Sequence, residues 1–127
     1  MGRTTYDDLN QRMGDKGEES VLPLRKCFVV TSSELPRNNA IAVKSIGEVD
    51  SHLTDEDFTK TVFFIGGERI YRKGIAKCQT AYVTIVNKDV NADRHFPVKY
   101  LQKHFTMTKL LSVDGEAGLR FTIWNRK

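Results

Sequence analysis

The sequence predicts an α/β protein with a mixed, mostly parallel sheet, flanked by helices and ending in an antiparallel hairpin. Short β-branched and aromatic segments alternate with segments of helical pattern, which is typical of parallel strands joined by helices. The last two apolar segments, 105–113 and 119–126, flank the turn sequence DGEAG and predict the hairpin. A chain of 127 residues has the length of one domain, so we expect a single domain over residues 1–127.

The first element is predicted to be a helix. Thr4 or Thr5 can cap its beginning, two aspartates would lie in its first turn, and it should end near Arg12. The sequence MGDKGEES at 13–20 is polar and contains two glycines, so it predicts a loop.

Four segments rich in β-branched and aromatic residues predict strands. One of them, TVFFI, is apolar without interruption, as strands buried on both faces of a parallel sheet are. Ser45 begins a helix or turn region that should end at 54–58, residues 68–73 are predicted to be helical, and Pro97 suits the start of another helix. The predicted strands are 26–31, 40–43, 61–65 and 80–86.

Composition excludes several classes of protein. The net charge is +4, but no run of five basic residues occurs, so we expect no dedicated nucleic-acid surface. Cys27 and Cys78 are far apart and the three histidines form no ligand motif, so no metal site is predicted. No apolar stretch approaches the ~20 residues that span a bilayer, and the first residues lack a signal-peptide core. We expect a cytoplasmic protein with no membrane partner.

Three segments carry groups that suit phosphate. A glycine pair between a strand and a helix lets backbone approach a ligand, although a tight turn without a ligand explains the pair equally well. Arg3 precedes a helix start and can pair with phosphate, and a strand ends in three hydroxyls, which turn chemistry also explains. Together they suggest a long ligand with several phosphates, such as a dinucleotide. The residues are Gly66 and Gly67, then Arg3, Thr4 and Thr5, then Thr31, Ser32 and Ser33.

The chain resembles dihydrofolate reductase over nearly its whole length. The resemblance is carried by MGRTTYDDL, LPLR, FVVTSS, FFIGGERIYRKGI and AYVTIVNKDVNADRHFP in this order, followed by the hairpin. The D-HFP element favours this family over the related riboflavin-pathway reductases. The resemblance implies reduction of 7,8-dihydrofolate to tetrahydrofolate with a hydride from NADPH, an oxidoreductase step of one-carbon metabolism.

The resemblance also implies which residues bind the cofactor. Arg3 and Arg69 would face the 2′-phosphate, and Gly66 and Gly67 match a pair whose peptide bond is cis in the family and lies against the cofactor. Glu68 stands where many relatives carry a small residue. The cofactor-binding residues implied are Gly2, Arg3, Thr4, Thr5, Thr31, Ser32, Ser33, Gly66, Gly67, Glu68, Arg69, Ile70 and Tyr71.

For the substrate, the resemblance implies a second set of contacts. Arg25 would hold the α-carboxylate, and Thr84 would bond the carboxylate that binds the pterin. Leu24 stands where the family often has glycine, which would change the turn before Arg25. Asp93 matches a residue that steadies the active-site lid. The substrate-binding residues implied are Leu22, Arg25, Ile65, Tyr71 and Thr84.

In the family, the match to Met1 lies well inside the chain. We therefore expect the first strand, the lid and the catalytic acid to be missing, and we assign no catalytic residue here. The aspartates present are interpreted as helix-start residues. The family's first strand lies between the segments matching 61–65 and 80–86, so both would keep open edges that a partner or a second copy can pair with. The aspartates are Asp7, Asp8, Asp55 and Asp57.

Three functions remain open on the sequence. The first is dihydrofolate reductase itself. The second is an inactive relative that acts as a binding or interaction protein. The third is a related NADPH-dependent reductase with another substrate, which Leu24 and the loop at 14–20 favour.

Overall fold

The computed structural model describes residues 1–13, 20–112 and 118–127. The chain divides into two compact units, residues 1–73 and 74–127. The predicted loop at 13–20 lies outside the described residues except for its two ends, and so does the DGEAG turn except for its last glycine. No helix in the described ranges is long and apolar enough to cross a membrane.

The first unit begins with helix α1, Arg3–Met13, as predicted. The expectation that Thr4 or Thr5 caps this helix is wrong, because the first helical residue is Arg3. Gly2 forms a parallel bridge with Val30, and its carbonyl accepts the Tyr6 amide at 3.1 Å. The helix therefore starts directly after the bridge, and the prediction that Asp7 and Asp8 lie in its first turn is wrong.

Strands β1, Phe28–Val30, and β2, Ile41–Val43, pair in parallel, with Val29 opposite Ala42. Both lie inside the predicted segments. Two 3₁₀ helices follow, Ile46–His52 and Asp57–Thr59. Ser45 caps the first of them by accepting the Glu48 amide, so the predicted start of this region is confirmed.

The core of the first unit lies between α1 and β1. Tyr6, Val21, Cys27 and Val29 are buried there. The Tyr6 hydroxyl donates to the Asn39 side-chain carbonyl at 2.7 Å, so the one polar atom of this ring is satisfied inside the core.

The prediction of a strand at 61–65 is wrong. These residues belong to no ladder among the described residues, and helix α2, Glu68–Gly74, begins three residues later as predicted. Val62 and Phe63 are more than half exposed. An apolar β-branched run favours extended backbone, but a strand also needs a neighbour to bond with, and within the described chain none lies beside this segment.

The second unit contains a three-stranded antiparallel sheet. Its strands are β3, Thr80–Val86, β4, Phe105–Ser112, and β5, Leu119–Arg126, in the order β3-β5-β4. The predicted strand at 80–86 and the terminal hairpin are confirmed. Helix α3, Val98–His104, follows Pro97 as expected, so the α/β class with parallel pairing and a final antiparallel hairpin is confirmed as well.

The two faces of this sheet differ. On one face Ala81, Val83 and Trp124 pack against a core of Ile75, Leu101 and Phe105. Cys78, a free thiol, lies beside that core. The opposite face carries large apolar side chains that are 43–69% exposed. They are Tyr82, Val86, Leu111 and Phe121.

Arg126, at the end of β5, bonds backbone carbonyls near the start of the second unit. The Arg126 guanidinium donates to the carbonyls of Ile75 and Cys78, both at 2.8 Å, and to that of Ala76 at 3.0 Å. It also lies 4.7 Å from the centre of the Phe105 ring. These carbonyls lie in and just after the 3₁₀ helix Ile75–Lys77, so Arg126 binds the C-terminal end of this short helix. The Ile75 carbonyl also accepts the Cys78 amide at 3.2 Å.

Candidate functional site

The glycine pair and the segment before α1 are in direct contact. The Gly2 amide donates to the Gly66 carbonyl at 2.7 Å. Gly66 has φ +103°, a conformation that side chains other than glycine's rarely allow, and its peptide bond to Gly67 is cis, as the resemblance implied. A Cβ on Gly66 would lie 3.2 Å from the Tyr71 ring. Glycine at position 66 therefore lets the Tyr71 ring pack directly on the backbone, which a side chain at this position would crowd.

Arg3 lies at the start of α1 and faces the end of β1. Its Nη1 atom donates to the Ser33 hydroxyl at 3.0 Å, the Thr31 hydroxyl at 3.4 Å and the Glu34 carbonyl at 3.1 Å. Its Nε atom pairs with Asp7 at 2.9 Å. We call Arg3, Thr31, Ser33 and the Glu34 carbonyl the Arg3 cluster. It joins a guanidinium and two hydroxyls, donor groups that suit a phosphate.

Three other predicted residues border this region. Thr5 is partly buried, and its hydroxyl lies 3.8 Å from where a Cβ on Gly67 would be. Thr4 and Ser32 are exposed. The structure thus brings Thr5 to the glycine pair and leaves the other two side chains at the surface.

Helix α2 carries four residues that the resemblance assigned to the cofactor. Ile70 is buried, and its Cγ1 atom is 3.5 Å from where a Cβ on Gly2 would be. Tyr71 packs its ring on Gly66, and burial raises the pKa of its hydroxyl. Glu68 pairs with Arg72 at 2.9 Å, one helical turn away. Arg69 is exposed and is not part of the Arg3 cluster.

A cavity of about 620 Å³ lies within the first unit. Three substrate-binding residues implied by the resemblance, Leu22, Arg25 and Ile65, line it. Ile70 lines it too, so the segment from Ile65 to Ile70 borders the cavity and contains the glycine pair. An apolar cavity with a guanidinium at its wall suits an aromatic ligand that carries a carboxylate.

The turn before Arg25 contains a strained residue. Leu24 has φ +60° and a fully exposed side chain. The Arg25 guanidinium donates to the Pro23 carbonyl at 3.0 Å. Leu24 adopts the left-handed conformation that glycine allows more readily. The backbone conformation is thus the one glycine would favour, and leucine adopts it at some cost in strain.

The second wall of the cavity was not predicted from the sequence. Ile46, Val49 and Leu53, on and just after the first 3₁₀ helix, form that wall. Their spacing of three and four residues after a serine cap is the signal that could have identified them.

Asp57 has a partner that its position at a helix start did not reveal. It begins the second 3₁₀ helix, as interpreted, but its carboxylate is buried and bonds the Lys26 ammonium at 2.7 Å. The hydrogen bond from Lys26, followed by one from the Thr54 amide, lowers the pKa of this carboxyl well below its usual range.

The remaining predicted residues lie in the second unit. Thr84 is exposed on β3, where it is opposite Phe121. Asp93 is exposed in the connection that follows β3. Both roles assigned to them stay predictions.

The chain is similar to proteins named dihydrofolate reductase. The family model for dihydrofolate reductase matches residues 1–126. The dihydrofolate reductase of Buchnera aphidicola subsp. Acyrthosiphon pisum is 26% identical over 97 residues, 76% of this chain and 53% of that protein. The dihydrofolate reductase of the Baizongia pistaciae subspecies is 27% identical over 99 residues, 76% of this chain and 52% of that protein.

A longer match covers nearly all of the chain. Dihydrofolate reductase type 6 of Proteus mirabilis is 26% identical over 125 residues, 98% of this chain and 71% of that protein. The chain spans about half the length of the two Buchnera relatives. Since the family model extends over almost every residue, the chain belongs to the dihydrofolate reductase family.

Proposed function

We propose that the chain works in the NADPH-dependent reduction of 7,8-dihydrofolate to tetrahydrofolate. The observation that carries this proposal is the position of the glycine pair. Gly66 and Gly67 touch the segment that begins α1, and their neighbours Ile65 and Ile70 line the apolar cavity. The segment 65–70 thus contains both the glycine pair and two residues of the cavity lining, which supports a reductase that brings a dinucleotide and a pterin together. Family membership also supports a cytoplasmic location.

The residues present fit NADPH. The Arg3 guanidinium and the Thr31 and Ser33 hydroxyls supply charge-assisted and neutral donors for a phosphate. At Gly66 the missing Cβ lets the Tyr71 ring pack on the backbone beside this region. We assign the 2′-phosphate to the Arg3 cluster. NADPH, when bound, supplies the hydride. The chain's own part is to bind and orient, with Tyr71 and Ile70 excluding water beside the glycines.

The cavity fits the substrate by its chemistry. Leu22, Ile65 and the second wall offer apolar surface for the aromatic ring, and Arg25 offers a bidentate partner for the α-carboxylate. We also assign Tyr71, whose ring packs on Gly66, to the pterin end. A related reductase with another substrate would use the same cofactor residues and would show no affinity for folic acid.

Arg3→Met tests the cofactor assignment. We expect the Kd for NADPH to rise about tenfold to a hundredfold, because a charge-assisted contact to phosphate is lost. The Kd for NADH, which lacks the 2′-phosphate, should change less than about threefold. Isothermal titration calorimetry of both dinucleotides measures this.

The matched control is Arg12→Met. Arg12 lies at the other end of α1 and pairs with Asp8 at 3.1 Å in an exposed pair, as Arg3 pairs with Asp7. This variant should bind both dinucleotides like the parent chain. If Arg3→Met loses affinity for NADPH and NADH equally, the assignment of the 2′-phosphate to the Arg3 cluster is contradicted.

Among the described residues no strand pairs with the outer edge of β3, which favours a second function, that of an interaction protein. The Arg126 amide bonds the Gln79 carbonyl and the Asn87 amide bonds the Gly118 carbonyl, so odd-numbered residues from 79 to 87 face β5. Tyr82 and Thr84 therefore direct their amides and carbonyls to the other edge. β3 contains no charged residue or proline, the devices that prevent edge pairing.

We propose a second copy of the chain as the partner. A two-fold axis at Val83 would place Tyr82 opposite Thr84 of the second copy, and their side chains would share the exposed apolar face.

Tyr82→Pro tests this pairing. Proline removes the outward amide at this position and leaves the bonds to β5 intact, so we expect a monomer at concentrations where the parent chain dimerises. Tyr82→Thr keeps the amide and should still dimerise. Sedimentation equilibrium measures both, and a parent chain that stays monomeric throughout would contradict the proposal.

A further inference from the structure

The Lys26–Asp57 ion pair joins two segments that are far apart in the sequence. The Lys26 ammonium lies 2.7 Å from the Asp57 carboxylate and donates a second hydrogen bond to the His52 carbonyl at 3.1 Å. His52 ends the first 3₁₀ helix, Asp57 begins the second, and Lys26 lies just before β1. A single ammonium thus holds both 3₁₀ helices to the segment that leads into the parallel sheet.

The carboxylate is fixed independently of the lysine. The Asp57 side chain is 10% exposed, and its Oδ2 atom also accepts the Thr54 amide at 2.9 Å and the Thr54 hydroxyl at 3.0 Å. An aspartate carboxyl is ionised at neutral pH, and the hydrogen bond from Lys26 lowers the pKa of this one further. Removing Lys26 would therefore leave a buried, charged and immobile acceptor without its main counter-charge, which is strongly unfavourable.

Both segments that this pair joins line the cavity, and so do Lys26 and Asp57 themselves. Leu22 and Arg25 lie on the Lys26 side, and Ile46, Val49 and Leu53 lie on the side of the 3₁₀ helices. We propose that the Lys26–Asp57 pair is a clasp that positions the second wall and so sets the affinity of the cavity for the ring and tail of its ligand. Both are positioning residues, and the identity of the ligand as a folate rests on the proposed function.

Lys60 provides the contrast that isolates the clasp. Its ammonium is 3.6 Å from the other oxygen of Asp57, but it lies three residues away on the same segment and is 60% exposed. Lys60 also lines the cavity, but it pairs with Asp57 and Glu56 within one segment and does not link that segment to Lys26. Lys60→Met therefore removes nearby charge and leaves the link intact.

The test uses Lys26→Met and, should that variant fold poorly, Asp57→Asn, which keeps an acceptor for Thr54 and removes the charge. Hydrogen exchange followed by mass spectrometry should show faster exchange in residues 46–60 of both variants and unchanged exchange in α1. Lys60→Met should exchange like the parent chain.

Calorimetry of Lys26→Met with folic acid should show a Kd raised about tenfold, with the Kd for NADPH within about twofold. Lys26→Arg should restore most of the affinity, and Arg12→Met should leave both values unchanged.

The outcomes separate this inference from the proposed function. Unchanged exchange at 46–60 in both variants would overturn the clasp, whatever binds in the cavity. Faster exchange with an unchanged Kd for folic acid would overturn its role in positioning the wall. Failure of the parent chain to bind folic acid would contradict the proposed function alone, and the exchange data would still decide whether the pair holds the two segments together.

Discussion

Gly66→Ala is expected to destabilise the first unit by about 2–4 kcal/mol and to abolish NADPH binding. Two effects add. Alanine is strained at φ +103°, and its Cβ would lie 3.2–3.3 Å from two ring carbons and the hydroxyl oxygen of Tyr71, so the ring must move. Movement of this ring or of the glycine backbone would displace the contact with Gly2. Urea unfolding followed by circular dichroism measures the stability, and calorimetry with NADPH measures the binding.

Gly47→Ala is the control for this prediction. Gly47 lies in the first 3₁₀ helix with φ outside the left-handed region, and the nearest atom to an added Cβ is the Ser45 hydroxyl at 3.8 Å. We expect a change within about 0.5 kcal/mol. If both alanine variants unfold at the same urea concentration, the conformational requirement at Gly66 is refuted.

Arg126→Met is expected to destabilise the second unit by about 2–3 kcal/mol. The substitution removes the donor for three carbonyls at the end of the 3₁₀ helix Ile75–Lys77 and the cation above the Phe105 ring, while methionine keeps the apolar stem. Trp124 packs against the core of this unit, so its fluorescence during urea unfolding reports the loss.

Arg120→Met gives the comparison on the same strand. Arg120 is exposed and lies between Ile85 and Ser112 in the sheet. Its replacement should change the free energy of unfolding by less than about 0.5 kcal/mol. A loss as large as that of Arg126→Met would show that charge, and not the bonded carbonyls, accounts for the effect.

The sequence predicted most elements because their signals are local. The β-branched run at 80–86, the proline before α3 and the two apolar segments around a glycine-containing turn each specify their own backbone. The segment 61–65 shows the limit of such signals. Its residues favour extended backbone, but a ladder depends on a neighbouring strand that no local pattern reveals.

In the candidate site too, residues with a local sequence signal were predicted and residues paired through space were missed. Gly2, Arg3 and the glycine pair were predicted because residue types at strand ends and helix starts indicate backbone approach and phosphate chemistry. The Lys26–Asp57 pair was missed, since its residues are 31 positions apart and a pairing through space has no periodicity to detect. The start of α1 was misplaced for a related reason, because the bridge of Gly2 to Val30 and not a capping side chain decides where the helix begins.

Each compact unit contains one free thiol, Cys27 in the first core and Cys78 beside the second. Cys27 is 6% exposed, and burial raises the pKa of the Cys78 thiol, which lowers its reactive thiolate fraction. The alkylation rate of each thiol thus reports how readily its own unit opens. Alkylation rates read peptide by peptide would distinguish a molecule that opens at one end from a molecule that opens as a whole.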